Sequence, residues 1–164
     1  LERDYTDKMK KKSLIDNISL QLATVFGVGL SPFMPGTAGC LVALIAFIFI
    51  GNPNHFLIFT IFSIIISFPT SSRAEKIYKI KDCKKIVIDD FSGMLITLLY
   101  VPKEVKYIIP AFFLFRMLDM IKIPPANKIE KIHGAVGIVG DDLVAGAYAS
   151  FIIQVVILLL RIFP

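Results

Sequence analysis

An all-α fold is predicted for this chain: a compact, membrane-embedded helical bundle with short hairpin helices. Three observations predict it. Hydrophobic residues make up 55% of the 164 residues and charged residues 19%, with a mean hydropathy of +0.73. An ordinary soluble domain is about 45–50% apolar and about 25% charged. The apolar residues gather in four blocks parted by Gly/Pro turns, and the basic residues gather between the blocks. This composition excludes a disordered chain, a collagen-like chain and a solvated helical array. The length suits one domain. Residues 1–12 read as a basic N-terminal tail, and residues 13–164 as a single helical domain.

The elements follow in order. Leu14, Ile15, Ile18, Leu22 and Val25 recur at spacings of three and four, which predicts an amphipathic helix with Ser13 as its N-cap. Residues 27–39, GVGLSPFMPGTAG, hold four glycines and two prolines and are expected to be loop. Apolar residues 40–50 and 56–68 form a helical hairpin across the turn Gly51-Asn52-Pro53-Asn54. A third block starts at Met94, breaks at Val101-Pro102 and resumes over residues 107–120. The fourth block is residues 143–160. A full span needs about 20 apolar residues, so only the fourth block is expected to cross a bilayer by itself. Cys40 and Cys83 have no zinc or redox spacing, and no disulfide is expected.

The positive charges sort by segment. Five Lys/Arg lie in residues 1–12; Arg73, Lys76, Lys79, Lys81, Lys84 and Lys85 follow, then Lys122, Lys128 and Lys131. Apolar hairpins separate these segments, so all can lie on one side, and the positive-inside rule makes that side cytoplasmic. The net charge of +5 then speaks for anionic lipid head groups. Nucleic acid is not an expected partner, because aromatic residues do not interleave with the basic ones. No obligate protein partner is read from the sequence.

The acids carry the chemistry. Asp89-Asp90 and Asp141-Asp142 each sit beside an apolar block. Capping a helix start is the plain structural reading of either pair. A cap needs one carboxylate, however, and two adjacent ionised carboxylates repel unless a cation neutralises them. Two pairs converging from two helix starts would make an oxygen cluster suited to Mg²⁺ with phosphate and water. Arg116, Asp119 and Lys122 recur every three residues along one helix side. In an apolar helix such groups mark function, and Arg and Lys suit phosphate. Thr37 and the loop amides of residues 27–39 could orient an anion. His133 in a Gly-rich loop is more often structural than an acid–base group. The residues alone thus point to metal-assisted work on a phosphorylated substrate, with a lipid as the expected carrier.

Three blocks resemble the phosphatidylglycerophosphatase A family: GVGLSPFMPGTAG (27–39), IVIDDFSGM (86–94) and FRMLDMIKIPPANKIEKIHGAVGIVGDDLVAG (115–146). The resemblance implies Mg²⁺-dependent hydrolysis of phosphatidylglycerophosphate to phosphatidylglycerol and phosphate in a bacterial inner membrane, with a helical fold. It implies Asp89, Asp90, Asp119, Asp141 and Asp142 as acidic site positions, and Thr37, Arg116 and Lys122 at the other signature positions. The chain departs from the family pattern at Asp90, Ile123, Glu130 and Ala135, where Glu, Pro, Asp and Gly are usual. In the expected mechanism Asp89, Asp90, Asp141 and Asp142 hold the metal, Arg116, Lys122 and Thr37 hold the phosphate, and Asp119 or another carboxylate serves as base. An aspartyl-phosphate intermediate competes with direct attack by water. The reading from another class is a non-catalytic transporter or assembly factor using intramembrane charge pairs.

Overall fold

The computed structural model describes residues 14–80, 83–132 and 134–162, and its regular structure there is helical. The basic tail, Ser13 and His133 lie outside the described residues. Helix α1 (Leu14–Ala23) is followed by a 3-10 turn at Val28–Leu30. Then come α2 (Pro35–Phe49), α3 (Pro53–Tyr78), α4 (Ile88–Thr97), α5 (Val105–Ile121), the short α6 (Ala126–Ile129) and α7 (Ala135–Ile162). The architecture is thus the all-helical one expected.

Helices α2, α3, α4, α5 and α7 alternate in direction. The starts of α2, α4 and α7 and the end of α5 meet around one cavity. At the opposite end, the end of α2, the start of α3 and the end of α7 meet around another. There Lys103 donates to the Ile48 and Ile50 carbonyls (3.0 and 2.7 Å), closing the open C-terminus of α2. The ten-residue α4 is the hub: it packs against α2, α3, α5 and α7. Its buried Ile88, Phe91, Met94 and Leu95 explain why so short a helix is so apolar. The amphipathic α1 lies against α3, where Arg73 pairs with Asp16.

Helices α3 and α7 are long and apolar enough to cross a membrane. Much of their apolar surface is exposed, including Ile58, Ile65, Phe151 and Leu158; such contiguous surface suits lipid. Over residues 143–162 α7 is about 30 Å long, one hydrocarbon thickness.

The structure corrects three expectations. First, α2 starts at Pro35, inside the stretch expected to be loop. Proline at the first helical position has no amide the helix needs there and a backbone angle already helical. Second, α3 continues through Pro69 to Tyr78, so a second span joins that of the fourth block. Ser67 and Thr70 bond back to the Ile64 and Ile66 carbonyls around the proline (both 2.7 Å). Third, α7 starts at Ala135, so Asp141-Asp142 lie well inside a helix and not before one. The described basic segments do share an end: Lys84 lines the cavity at the α7 start, and Lys131 lines the one beside it. Lys103, Lys106 and Arg161 stand at or toward the other end. Cys40 and Cys83 are both free.

Candidate active site

The site is built on a crossing of two backbones. Helices α4 and α7 touch at Gly93 and Gly146: a Cβ on Gly146 would collide with the Gly93 carbonyl, and one on Gly93 would come within 2.7 Å of the Asp142 carbonyl. Only glycine permits this approach. The Thr97 hydroxyl spans the crossing, donating to the Gly93 carbonyl at 3.1 Å, with the Gly146 carbonyl at 3.4 Å. Asp89 stands four residues before Gly93, and Asp142 four before Gly146. One helical turn from the crossing, the two carboxylates therefore face each other. Carboxylate oxygens of Asp89, Asp90 and Asp142 all lie within 4.8 Å of one another.

The remaining wall comes from α2 and α5. Gly36, in the first turn of α2, lies so close to Asp90 that a Cβ there would strike its carboxylate. Arg116 of α5 donates to Asp90 and pairs with Asp119 at 2.9 Å. Lys122, which closes α5, bridges Asp141 at 2.9 Å and Glu130 at 2.8 Å. Apart from Glu130, these groups line a cavity of about 320 Å³, together with Lys84, Met34 and Met120. A neighbouring cavity of about 400 Å³ shares Ile138 and Asp141 with it and adds Glu75 and Glu130.

Burial pushes the Asp89 carboxyl well above its ordinary value, and the Asp90 charge adds to this. Burial also raises Asp90; the Arg116 guanidinium opposes, Asp119 raises it again, and the result is pushed up to about 7. Burial works against the Lys122 charge, but Glu130 and Asp141 together hold its ammonium above the ordinary value. The acids thus resist ionising together without a nearby cation. The donor set fits a hard divalent cation on two observations. Three carboxylates converge, and Asp141 Oδ1 is buried with no hydrogen-bond partner among the described residues.

Of the residues expected from the sequence, Asp89, Asp90, Arg116, Asp119, Lys122, Asp141 and Asp142 line one cavity. Thr37 follows the wall residue Gly36; its Oγ1 is buried and has no partner among the described residues. Ser31 donates to the Phe33 carbonyl at 3.0 Å and serves the loop turn. Lys84 was not expected here, because it sits in a basic run that reads as solvated surface. Glu130 was not expected either; its charge opposite Lys122, eight residues on, was the available signal.

A family model described as phosphatidylglycerophosphatase A matches residues 21–157. The chain belongs to the phosphatidylglycerophosphatase A family. A Bacteroides thetaiotaomicron protein with the provisional name phosphatidylinositol-3-phosphatase is 35% identical to it, over 90% of this chain and 96% of that protein. Proteins named phosphatidylglycerophosphatase A are 33% identical in Escherichia coli (91% and 89% covered) and 34% identical in Haemophilus influenzae (88% and 91% covered). No solved structure matches the chain. Membership of this family makes the cavity a candidate phosphatase site.

Proposed function

We propose that the protein is a Mg²⁺-dependent phosphatase that converts phosphatidylglycerophosphate to phosphatidylglycerol and phosphate, acting from the cytoplasmic side of a bacterial inner membrane. The observation that carries this reading is the gathering of five aspartates with Arg116 and Lys122 around one cavity at one end of an apolar bundle. The names of two relatives support the substrate. The basic segments at the site end support the orientation.

Asp89, Asp90 and Asp142 would hold the divalent ion, with Asp141 as a fourth ligand. When bound, the ion offsets charge on the carboxylates and on the transferring phosphoryl group. Arg116 presents a planar fork of donors to two phosphate oxygens, and Lys122 presents a point charge. Both are held by acids before substrate arrives: Arg116 by Asp90 and Asp119, Lys122 by Glu130 and Asp141. This fixes their direction and limits their reorganisation when phosphate enters. The Thr37 hydroxyl, buried behind the wall residue Gly36 and unpartnered among the described residues, would have to turn toward the cavity, which Thr37 does not line, to donate to a phosphate oxygen. Asp119 accepts a proton from water as the water oxygen attacks phosphorus in line. The phosphorus–oxygen bond to the glycerol moiety then breaks, that oxygen leaves on the opposite side and takes up a proton from solvent water, and Asp119 returns its proton to solvent.

The test is phosphate release from purified protein in detergent, given phosphatidylglycerophosphate, phosphatidylinositol 3-phosphate and phosphatidate in parallel. Release is expected from phosphatidylglycerophosphate first, is abolished by chelator and returns with Mg²⁺. Preference for the inositol lipid would move the substrate to the one in the Bacteroides relative's name. No release from any of them would favour the non-catalytic membrane component. Phosphate trapped on the protein by a rapid quench would replace direct water attack with an aspartyl-phosphate.

A further inference from the structure

The second cavity at the site end is shaped by a close backbone contact. A Cβ on Gly137 would strike the Ile132 carbonyl and press on the Glu130 carbonyl, so the segment after α6 lies directly on the first turn of α7. Glu130 and Lys131 of that segment line the cavity of about 400 Å³ together with Glu75, from the last turn of α3. Lys122 forms the partition between this cavity and the site. Its ammonium meets Glu130 at 2.8 Å and Asp141 at 2.9 Å. Lys122 lines the site cavity, Glu130 the second one, and Asp141 both. A phosphate oxygen held by Lys122 therefore sits at the boundary, and the group esterified to that phosphate has the second cavity beside it.

The lining chemistry selects that group. Glu130 and Asp141 are each taken by Lys122, whereas Glu75 is half-buried and has no ion-pair partner among the described residues. An ionised carboxylate accepts hydrogen bonds and donates none. Hydrocarbon in the cavity would strip water from these charges without replacing it, and an anion inside it would face three acids. A metal ion does not suit it either: among the described residues, the carboxylates close enough to share one are Asp89, Asp90 and Asp142. Hydroxyl groups match the need for donors. Lys131, exposed where it lines the cavity, adds one cation for an anion at the mouth. We infer that the second cavity receives the polyol that carries the scissile phosphate, with Glu75 accepting a polyol hydroxyl and Lys131 meeting the phosphodiester beyond it. This rests on the lipid-phosphate reading above and adds the feature of the lipid that is selected. Phosphatidylglycerophosphate and phosphatidylinositol 3-phosphate both have this order of phosphate, polyol and phosphodiester. Phosphatidate, whose phosphate sits on diacylglycerol itself, does not.

The test uses the whole purified protein in detergent with Mg²⁺. Butylphosphonate and its dihydroxy derivative, neither of which can be hydrolysed, are titrated by calorimetry. The dihydroxy compound is expected to bind at least about 5-fold more tightly, on the scale of one hydrogen bond, and Glu75→Ala should erase that preference. No preference in wild-type protein, whether both compounds bind or neither does, would overturn the inference. A second measurement is phosphate release from the three lipids. Glu75→Ala is expected to lower kcat/KM at least about 5-fold for the polyol lipids that wild-type protein hydrolyses, and to leave phosphatidate release at its wild-type level. An equal loss on all, or no loss on any, would overturn it. Wild-type kcat/KM on the two polyol lipids tells whether glycerol or inositol is the better occupant. Lys131→Ala, at an exposed position, is expected to raise KM for the polyol lipids about 3-fold, on the scale of an exposed ion pair, without altering the phosphonate preference; an unchanged KM would overturn the place given to the phosphodiester. If wild-type protein releases no phosphate yet prefers the dihydroxy phosphonate, and Glu75→Ala loses that preference, the polyol cavity stands and the catalytic reading falls.

Discussion

The two aspartate pairs share a sequence pattern and reach the same cavity from different positions. Asp89-Asp90 occupy the first turn of α4, where the Asp90 amide donates to Asp89 at 3.0 Å and the dipole favours negative charge. Asp141-Asp142 lie inside α7, away from any helix end. What they have in common is the distance to a glycine at the α4–α7 crossing. Both members of the first pair, and Asp142 of the second, belong to the convergent oxygens. The second member of the first pair and the first member of the second also answer a cationic side chain: Asp90 pairs with Arg116, and Asp141 with Lys122. Each pair therefore serves two ends, gathering oxygens for a cation and aiming a cationic side chain at the same cavity.

The comparison can be broken most severely at Asp89 or Asp142. Asp89→Asn and Asp142→Asn are each expected to cut phosphate release by at least about 10²-fold, on the scale of losing a central electrostatic group. Asp141→Asn, whose loss leaves Lys122 paired with Glu130, is expected to cost about 10-fold. Equal losses at Asp141 and Asp142, measured as kcat/KM, would erase the division of labour. Next in size is the crossing. Gly146→Val drives a branched side chain into the Gly93 carbonyl and should destabilise the protein by about 1–3 kcal/mol or more, read as a lower thermal midpoint in detergent. Gly51→Ala, in the far hairpin turn where a Cβ meets nothing within 4 Å, should leave that midpoint in place.

Arg116→Lys keeps the charge but loses the planar guanidinium, whose Nη1 meets both Asp90 and Asp119. A fall of about 10-fold in kcat/KM is expected, because the two side chains are not interchangeable at such a site. The smallest effect is expected at Glu130. Glu130→Gln leaves Lys122 with Asp141 and should change KM by about twofold to threefold, the scale of a partly exposed ion pair. A larger change would make Glu130 part of the phosphate-binding machinery.

Much of the site was legible because its residues are chemically out of place. Acids and an arginine beside or within apolar runs demand a reason, and Arg116, Asp119 and Lys122 declare a shared side by spacing alone. The hairpin at Gly51–Pro53 was legible from turn chemistry. What could not be read was where helices begin. Gly137 and Gly140 look like loop residues in sequence, yet both lie inside α7. A Cβ on Gly137 would strike the Ile132 carbonyl, and one on Gly140 would press on the Ile129 side chain, so these glycines answer to tertiary neighbours that sequence does not display. Pro69 likewise reads as a break, although α3 passes through it. Lys84 stayed hidden for the opposite reason: among so many lysines, nothing local singles it out.

With every acid of the cavity gathered at one end of the bundle, the molecule has a working side and an idle side. A vesicle into which it inserts in a single orientation should lose its lipid phosphate from one leaflet only. The opposite leaflet would keep its share until those lipids flip across. Membrane sidedness would then gate the reaction, with no moving part in the protein required.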